Sequence, residues 1–249
     1  MVDIHSHILW GLDDGAETLE QSLAMMEIAA GSGTTDIVAT PHANFRYSFQ
    51  AALISQRIEE ISAASGDHPR LHRGCDFHLS FDNIQDALEN PTKYAINGGR
   101  YLLVEFPDTA LTGMGAALSA LLQRGLIPIM THPERQPVLR QIPADFEEWI
   151  HMGCLVQVTA QSLLGRFGRH AEESAWEMVR RGMAHIVASD AHDENDRTPR
   201  LDEAFAAVAA RVDQPMARRL FIDNPKSVIS GGAVPTGLPK RVSRLRFWK

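Results

Sequence analysis

Short apolar runs alternate with amphipathic stretches along most of the chain. The apolar runs predict about seven β-strands, one at the amino terminus and others near residues 36–40, 71–77, 101–105, 126–130, 155–158 and 184–188. The amphipathic stretches predict helices after most of them, near residues 19–30, 49–64, 110–123, 146–152, 172–181, 201–212 and 216–222. This alternation predicts an α/β fold with a parallel sheet. Because the strands are almost continuously apolar, we expect both faces of the sheet to be covered.

Polar residues decide between a closed β/α barrel and an open doubly wound sheet. Side chains that can bind metal ions recur at the carboxyl ends of six of the seven predicted strands. They are His5, His7, His42, Asp76, Glu105, His132, Asp190 and His192. A barrel brings these ends together on one rim, whereas an open sheet spreads them along a line. The pattern therefore favours a single TIM-like barrel over two small domains, and 249 residues is an ordinary length for one.

The first fifteen residues combine His5-x-His7 with the adjacent aspartates Asp13 and Asp14. Residues two apart on a strand point to the same face, so both imidazoles can bind one divalent ion. The motif alone is weak, since a strand end can also carry one buried and one exposed histidine. Its recurrence at matching positions on other strands favours a metal-centred site.

The candidate ligands are histidines and carboxylates, without a thiolate in ligand spacing. This set suits manganese, iron, zinc or magnesium. The ligands are too many for one ion, so we expect two or three. Three divalent ions with four carboxylates, counting Asp14, leave a positive site for an anionic substrate. Phosphate-ester hydrolysis fits, because metal ions lower the pKa of a bound water and orient the phosphoryl group.

Composition and charge argue against several classes of protein. The chain is 44% hydrophobic and 22% charged, as soluble globular proteins are. It has no apolar run that could cross a bilayer and no basic-then-apolar leader before Asp3, so we expect a cytoplasmic protein. Cys75 and Cys154 form no metal-binding clip and suggest a reducing compartment. The net charge of −7 argues against a nucleic-acid partner.

The motifs DIHSHILWGLDDGAETLEQSL, IVATPH, LLVEFP, THPER and SDAH resemble the PHP (polymerase and histidinol phosphatase) superfamily. More narrowly, they resemble the CpsB/CapC family of bacterial tyrosine-protein phosphatases. The resemblance covers residues 1 to about 229. It implies a distorted seven-stranded β/α barrel, with residues 1–235 as one phosphatase domain, and a trinuclear, usually manganese-dependent centre. It also implies hydrolysis of phosphotyrosine on protein. The implied partner is the tail of a bacterial tyrosine autokinase that controls capsule or exopolysaccharide export.

The resemblance also implies how the ions are held. The first would be bound by His5, His7, Asp76 and Asp190. Asp76 would bridge to a second, which Glu105 and His132 also bind. The third would be bound by Asp14, His42 and His192. Spacing alone does not decide whether Asp13 or Asp14 binds the third ion, and we expect Asp14 to be the ligand. The family usually has glutamate at the position of Asp76, so the carboxylate here has a shorter reach.

Arg135 and Arg197 match the family's phosphate-binding arginines. A guanidinium group can pair with two phosphate oxygens, although salt bridges with Glu134 or Asp196 are the alternative. The aromatic loop at residues 44–47 would flank a phosphotyrosine ring or simply anchor itself. The basic tail at residues 236–249 would be solvated, docked on the body, or in contact with a membrane surface or membrane kinase.

Four other functions compete with this hypothesis. A cysteine-dependent tyrosine phosphatase is excluded, because neither cysteine is followed six residues later by arginine. A binuclear amidohydrolase commonly needs a modified lysine, and no lysine lies at a predicted strand end. A histidinol-phosphate or other small-molecule phosphatase of the same superfamily is the enzymatic alternative. A metal-stabilised regulatory binding module is the non-enzymatic one.

Overall fold

Parallel β-strands form the centre of the protein in a computed structural model that describes residues 1–107, 113–137, 139 and 143–236. Within these residues the strands are β1 (Val2–Ser6), β2 (Asp36–Ala39), β3 (His42–Ala43), β4 (Arg70–Arg73), β5 (Asp76–His78), β6 (Tyr101–Glu105), β7 (Ile127–Thr131), β8 (Leu155–Thr159) and β9 (Ile186–Ala188). All of their pairings are parallel, as the alternating sequence pattern predicts.

Helices follow most of the strands. In the same residue ranges they are α1 (Leu19–Gly31), α2 (Ala51–Ser65), α3 (Phe81–Glu89), α4 (Met114–Gln123), α5 (Pro143–His151), α6 (Ala160–Leu163), α7 (Arg169–Arg180), α8 (Asp202–Arg211), α9 (Gln214–Arg218) and α10 (Asn224–Ser230). Short 3₁₀ turns occur at Ile96–Gly98 and Pro133–Arg135, and a π-helical turn spans Arg219–Asp223. None of the described helices is both long and apolar enough to cross a bilayer.

The strands form a three-stranded sheet, β1-β2-β4, and a six-stranded sheet, β3-β5-β6-β7-β8-β9. The chain passes from β2 to β3 and from β4 to β5 within two residues, so each of these pairs occupies one strand position. Strands β1 and β9 meet where the backbone N–H of Asp190 donates to the carbonyl of His5 at 2.8 Å. The N–H of His7 likewise donates to the carbonyl of Ala191 at 2.8 Å. Seven strand positions thus form the distorted barrel that the sequence predicts.

One cluster of buried apolar side chains joins opposite parts of this barrel. It includes Ile4 of β1 together with Leu103, Ile129, Leu155 and Ile186 of β6 to β9. In an open sheet the first strand could not share one core cluster with all four of these strands. A larger cluster lies between the six-stranded sheet and its helices, and a third packs α1 and α2 against β2 and β4. Both faces of the strands are therefore covered, as expected from their apolar character.

The structure differs from the predicted elements in two respects. The strand predicted at residues 71–77 is interrupted at Gly74, where a Cβ atom would lie 2.6 Å from Cγ1 of Val38, so β4 and β5 are separate. Helices α3, α6 and α10 are additional to those predicted. Residues 110–112 of the helix predicted at 110–123, and residues 237–249 of the predicted basic tail, lie outside the described residues.

Candidate metal centre

All nine candidate ligands lie around the carboxyl ends of the barrel strands and come together in four overlapping groups. In each group, ligand atoms lie within 4.8 Å of one another. The groups are His7, Asp14, His42 and His192; His5, His7 and Asp190; His5, Asp76 and His132; and His42, Asp76 and Glu105. Segments from the first strand to the turn after the last therefore contribute to one site.

The carboxylate of Asp76 belongs to two of the groups, as expected for a residue that bridges two ions. His132 shares a group with His5 and Asp76, and its Nε2 lies 3.8 Å from Oε1 of Glu105. His7 reaches the group that contains Asp14 as well as the one that contains Asp190. The geometry thus keeps the three implied ligand sets adjacent and lets single side chains be shared between them.

Asp76 provides a direct test of whether the site fits cations. Its side chain is buried, and within the described residues neither carboxylate oxygen accepts an aligned hydrogen bond. Its nearest polar neighbours are His42 Nδ1 at 3.2 Å and His5 Nε2 at 3.6 Å. Burial raises the pKa of Asp76, but these imidazoles outweigh it and hold the pKa well below its usual range. A buried anion that lacks hydrogen-bond donors needs a cation, so the residues present fit a metal centre.

Two histidines are oriented by polar groups behind them. The Nδ1–H of His7 donates to Oδ2 of Asp13 at 2.7 Å, and the Nδ1–H of His5 donates to Oε1 of Gln157 at 2.9 Å. In both rings Nε2 then faces the ligand groups, which is the arrangement typical of metal-binding histidines. Gln157 lies in β8, the one predicted strand without a candidate ligand. No local pattern in the sequence marks Gln157, because its role depends on its contact with His5 of β1.

The two adjacent aspartates occupy different positions. Asp13 also accepts hydrogen bonds from the backbone N–H groups of His42 and Gly15, at 2.9 and 3.0 Å. Burial raises the pKa of Asp13, but the imidazole of His7 outweighs it and holds that pKa below its usual range. Asp14 instead directs Oδ1 toward Nε2 of His42 at 3.4 Å and of His192 at 3.6 Å. This placement supports Asp14 as the ligand and Asp13 as the group that orients His7.

The two oxygens of Asp190 face different partners. Oδ1 lies 3.5 Å from Nε2 of His5 and 3.6 Å from Nε2 of His7. Oδ2 accepts hydrogen bonds from Arg135 at 2.6 Å and Arg197 at 2.7 Å. One carboxylate therefore links the ligand groups to both predicted phosphate-binding arginines. Burial raises the pKa of Asp190, but these arginines and His5 keep it well below its usual range.

The salt bridges considered as alternatives for the two arginines are not what the structure shows. Oε1 of Glu134 accepts hydrogen bonds from the backbone N–H of Thr159 at 2.9 Å and from the hydroxyl of Ser162 at 2.7 Å. The backbone carbonyl of Asp196 accepts a hydrogen bond from the side chain of Gln161 at 2.7 Å. Both guanidinium groups are directed to the rim.

Two candidate ligands have an unusual backbone conformation. His132 has a φ of 35° and Asp190 a φ of 52°, both in the left-handed region that favours glycine. Such a residue costs about 1–3 kcal/mol, and the cost is tolerated where function fixes the side-chain direction. His132 directly follows β7 and Asp190 lies two residues after the end of β9, and in each case the turn aims the side chain at the site.

Aromatic and polar groups surround the ligand groups on one side. His78 Nδ1 lies 3.5 Å from Oε2 of Glu105, so His78 does face the site region. The ring of Tyr47 lies almost parallel to that of His42, with 6.2 Å between centroids. In the same loop Phe45 is 91% exposed, and Phe81, at the start of α3, is 76% exposed. The loop thus both anchors itself through Tyr47 and presents an aromatic ring to solvent.

The cysteines take no part in this site. Both are buried free thiols. Burial raises the pKa of Cys154 to about 12 and that of Cys75 well above its usual value. Neither can supply the thiolate that a cysteine-dependent phosphatase needs.

Comparisons with known proteins identify the family of the chain. Residues 1–230 match the family model described as capsular polysaccharide synthesis, CpsB/CapC. The CapC protein of Staphylococcus aureus is 36% identical over 100% of this chain and 98% of its own. The tyrosine-protein phosphatase CpsB of Streptococcus pneumoniae is 28% identical over 92% of this chain and 98% of its own.

A solved structure supports the same relationship. It comes from work on YwqE from Bacillus subtilis and CpsB from Streptococcus pneumoniae, described as unique metal-dependent tyrosine phosphatases. It superposes with a TM-score of 0.89 at 27% identity, covering 98% of this chain and 100% of the other. The barrel, the family model and these relatives show that the chain belongs to the CpsB/CapC family.

Proposed function

We propose that this protein is a metal-dependent phosphatase that hydrolyses phosphotyrosine on protein. The observation that carries the proposal is Asp190, whose two carboxylate oxygens connect a cluster of imidazoles and carboxylates with two arginines. Cations on one side and guanidinium groups on the other form a site for a small, highly charged anion. Relatives named tyrosine-protein phosphatases support a phosphotyrosine monoester as that anion.

Three divalent ions would be held by the nine residues of the four groups, with manganese the expected metal and iron, zinc or magnesium compatible with the same ligands. When bound, the ions would supply a water activated by a lowered pKa and positive charge for the phosphoryl oxygens. Asp13 and Gln157 orient His7 and His5 for this purpose, because each accepts the Nδ1–H and leaves Nε2 free.

Arg135 and Arg197 would bind the phosphate. Each is anchored to Asp190 through one terminal nitrogen and keeps other N–H groups for a ligand. Within the described residues, Nε of Arg197 is buried and has no hydrogen-bond partner. Because phosphate is attracted to both guanidinium groups and to the ions, it would lie between them. This position orients the phosphorus toward an activated water.

A protein rather than a small molecule is the proposed substrate. The site opens on a rim where Phe45 and Phe81 are exposed on neighbouring segments. The segments are tied together because the side-chain amide of Asn83 donates to the carbonyls of Ala43, at 2.8 Å, and His78, at 2.9 Å. Exposed aromatic rings beside a site are suited to contact with a polypeptide on either side of the modified tyrosine.

The partner we propose is the phosphotyrosine-containing tail of a bacterial tyrosine autokinase that controls capsule or exopolysaccharide export, encountered in the cytoplasm. The family description, capsular polysaccharide synthesis, supports this assignment. We further propose that residues 1–235 act as one phosphatase domain.

The test is metal analysis combined with phosphatase assays of wild type, His132→Ala and His72→Ala. His132 lies among the ligands, whereas His72 is a matched control that pairs with Asp36 at 3.0 Å outside the site. We expect His132→Ala to lose bound metal and to lose more activity than the roughly 10–100-fold caused by removing a group that only supports a ligand. His72→Ala should retain both.

The substrates decide among the remaining functions. Wild type with manganese is compared on a phosphotyrosine peptide, histidinol phosphate and p-nitrophenyl phosphate. Unchanged activity of His132→Ala would remove the metal mechanism. A strong preference for histidinol phosphate would overturn the protein substrate. If none of the three substrates is hydrolysed, a regulatory binding module remains as the function.

A further inference from the structure

A short loop between α6 and α7 carries an aromatic residue, Phe167, beside the two phosphate-binding arginines. The loop is shaped by Gly165 and Gly168, whose φ angles of 76° and 85° are in the left-handed region. It is fixed where the backbone N–H of Arg166 donates to the carbonyl of Gln161 at 3.0 Å. The N–H of Gly168 donates to the carbonyl of Gly165 at 3.0 Å. The backbone thus gives Phe167 a defined position.

The ring of Phe167 contacts both guanidinium groups. Its centroid lies 4.6 Å from Cζ of Arg135 and 5.8 Å from Cζ of Arg197. Both distances are within the roughly 6 Å over which a cation is attracted by an aromatic face. The two arginines come from distant segments, after β7 and after β9, and both contact Asp190 and this ring.

The charges explain why a second anchor is needed. Two guanidinium cations share one oxygen of Asp190, so they repel each other while one anionic group attracts both. The other oxygen of that carboxylate faces the metal-ligand groups, where bound cations would withdraw its charge. An aromatic face adds attraction for both arginines without adding an anion that would repel phosphate.

We propose that Phe167 is a positioning residue that holds Arg135 and Arg197 as one phosphate-binding pair. This inference rests on the proposed function in that the arginines bind a phosphate. It does not depend on which phosphate ester is hydrolysed. The aromatic face is the property that matters, so tyrosine should substitute for phenylalanine and leucine should not.

The experiment compares metal-loaded wild type, Phe167→Leu and Phe167→Tyr with the control Phe205→Leu. Phe205 is also partly buried, but it packs in α8 against Phe221. Binding of inorganic phosphate is measured by calorimetry, bound metal by elemental analysis, and kcat and KM with p-nitrophenyl phosphate. We expect Phe167→Leu to weaken phosphate binding and raise KM in parallel, each by about tenfold. Metal content should be unchanged.

The conservative variant separates positioning from packing. Phe167→Tyr should bind phosphate within about twofold of wild type, and Phe205→Leu should behave as wild type. Wild-type phosphate affinity in Phe167→Leu, or loss of metal or folding in it, would overturn the proposal. Failure of Phe167→Tyr to restore binding would overturn it too. If wild type binds phosphate but does not hydrolyse phosphotyrosine, the proposed function fails while a weakened Phe167→Leu still supports the inference.

Discussion

Replacement of Gly15 by alanine should disrupt the proposed metal centre, because this glycine packs directly against the backbone of His7, a candidate ligand. A Cβ atom at residue 15 would lie 2.1 Å from the carbonyl oxygen of His7 and 2.5 Å from its Cβ. The backbone N–H of Ala16 donates to that same carbonyl at 3.1 Å, so the segment cannot simply swing away. Gly15 follows Asp14 directly, so relief of the clash moves His7, Asp14 or both.

The size of the movement can be compared with what metal binding tolerates. Ordinary contact begins at 3.4 Å, so the added atom is about 1.3 Å too close to a backbone oxygen. Metal–ligand distances in a working site vary by only about 0.2 Å. Even if several residues share the displacement, the ligands move by more than the site tolerates. We therefore expect Gly15→Ala to bind fewer metal ions than wild type and to lose most of its phosphatase activity.

The assay measures bound metal by elemental analysis and hydrolysis of p-nitrophenyl phosphate, with circular dichroism as the check on folding. Gly31→Ala is the matched control, because a Cβ atom at the end of α1 meets nothing within 4 Å. It should keep full metal content and gain roughly 0.5–1 kcal/mol of stability. A folded Gly15→Ala protein with wild-type metal content and activity would refute the reasoning.

Four further substitutions test other parts of the structure. Asp14→Asn should abolish binding of one ion, whereas Asp13→Asn should bind all the ions with a manganese affinity reduced roughly 10–100-fold. A manganese titration in which Asp13→Asn binds less manganese than Asp14→Asn would contradict this assignment. Burial, helped by Arg219, lowers the pKa of His185 to about 4 from 6.5, so the unfolded chain binds the proton more tightly. Stability should therefore fall by up to roughly 3 kcal/mol as pH drops from 6.5 to 4. In urea unfolding at pH 7 and pH 4.5, His185→Asn should not show this pH-dependent loss of stability. An equal loss of stability in wild type and in His185→Asn would disprove the prediction. Phe45→Ala should raise KM for a phosphotyrosine peptide roughly tenfold while leaving p-nitrophenyl phosphate unaffected, and a parallel rise for both would exclude contact with the peptide.

The sequence predicts the barrel and the candidate ligands because both depend on local patterns. An apolar run defines a strand, and the polar residue that ends it, such as Glu105 or His132, is set by the same few positions. Parallel pairing then brings these ends to one rim without further information. For this reason eight of the nine candidate ligands could be selected before any distance between them was known, whereas Asp14 rests on the family resemblance.

Contacts between distant segments were beyond the same reasoning. Gln157 and His5 are 152 positions apart, and nothing near either residue specifies their hydrogen bond. Phe167 lies in a loop without a periodic pattern of apolar residues. Its role depends on the positions of Arg135 and Arg197, which come from other segments of the chain. The choice between Asp13 and Asp14 depends on the turn conformation, since adjacent side chains point in different directions. The interruption at Gly74 likewise reflects close packing against another strand.

The backbone hydrogen bonds from Asp190 to His5 and from His7 to Ala191 have a consequence for synthesis of the protein. Strand β1 and His7 after it carry two of the candidate ligands, but β9, their neighbour on one side, is translated about 180 residues later. Until then β1 has an unpaired edge, and Arg197, one of the two proposed phosphate-binding arginines, has not been synthesised. Closing so long a stretch of chain is slow compared with forming local helices. A copy whose synthesis stops before β9 lacks Asp190, His192 and Arg197, so we expect it to have no phosphatase activity.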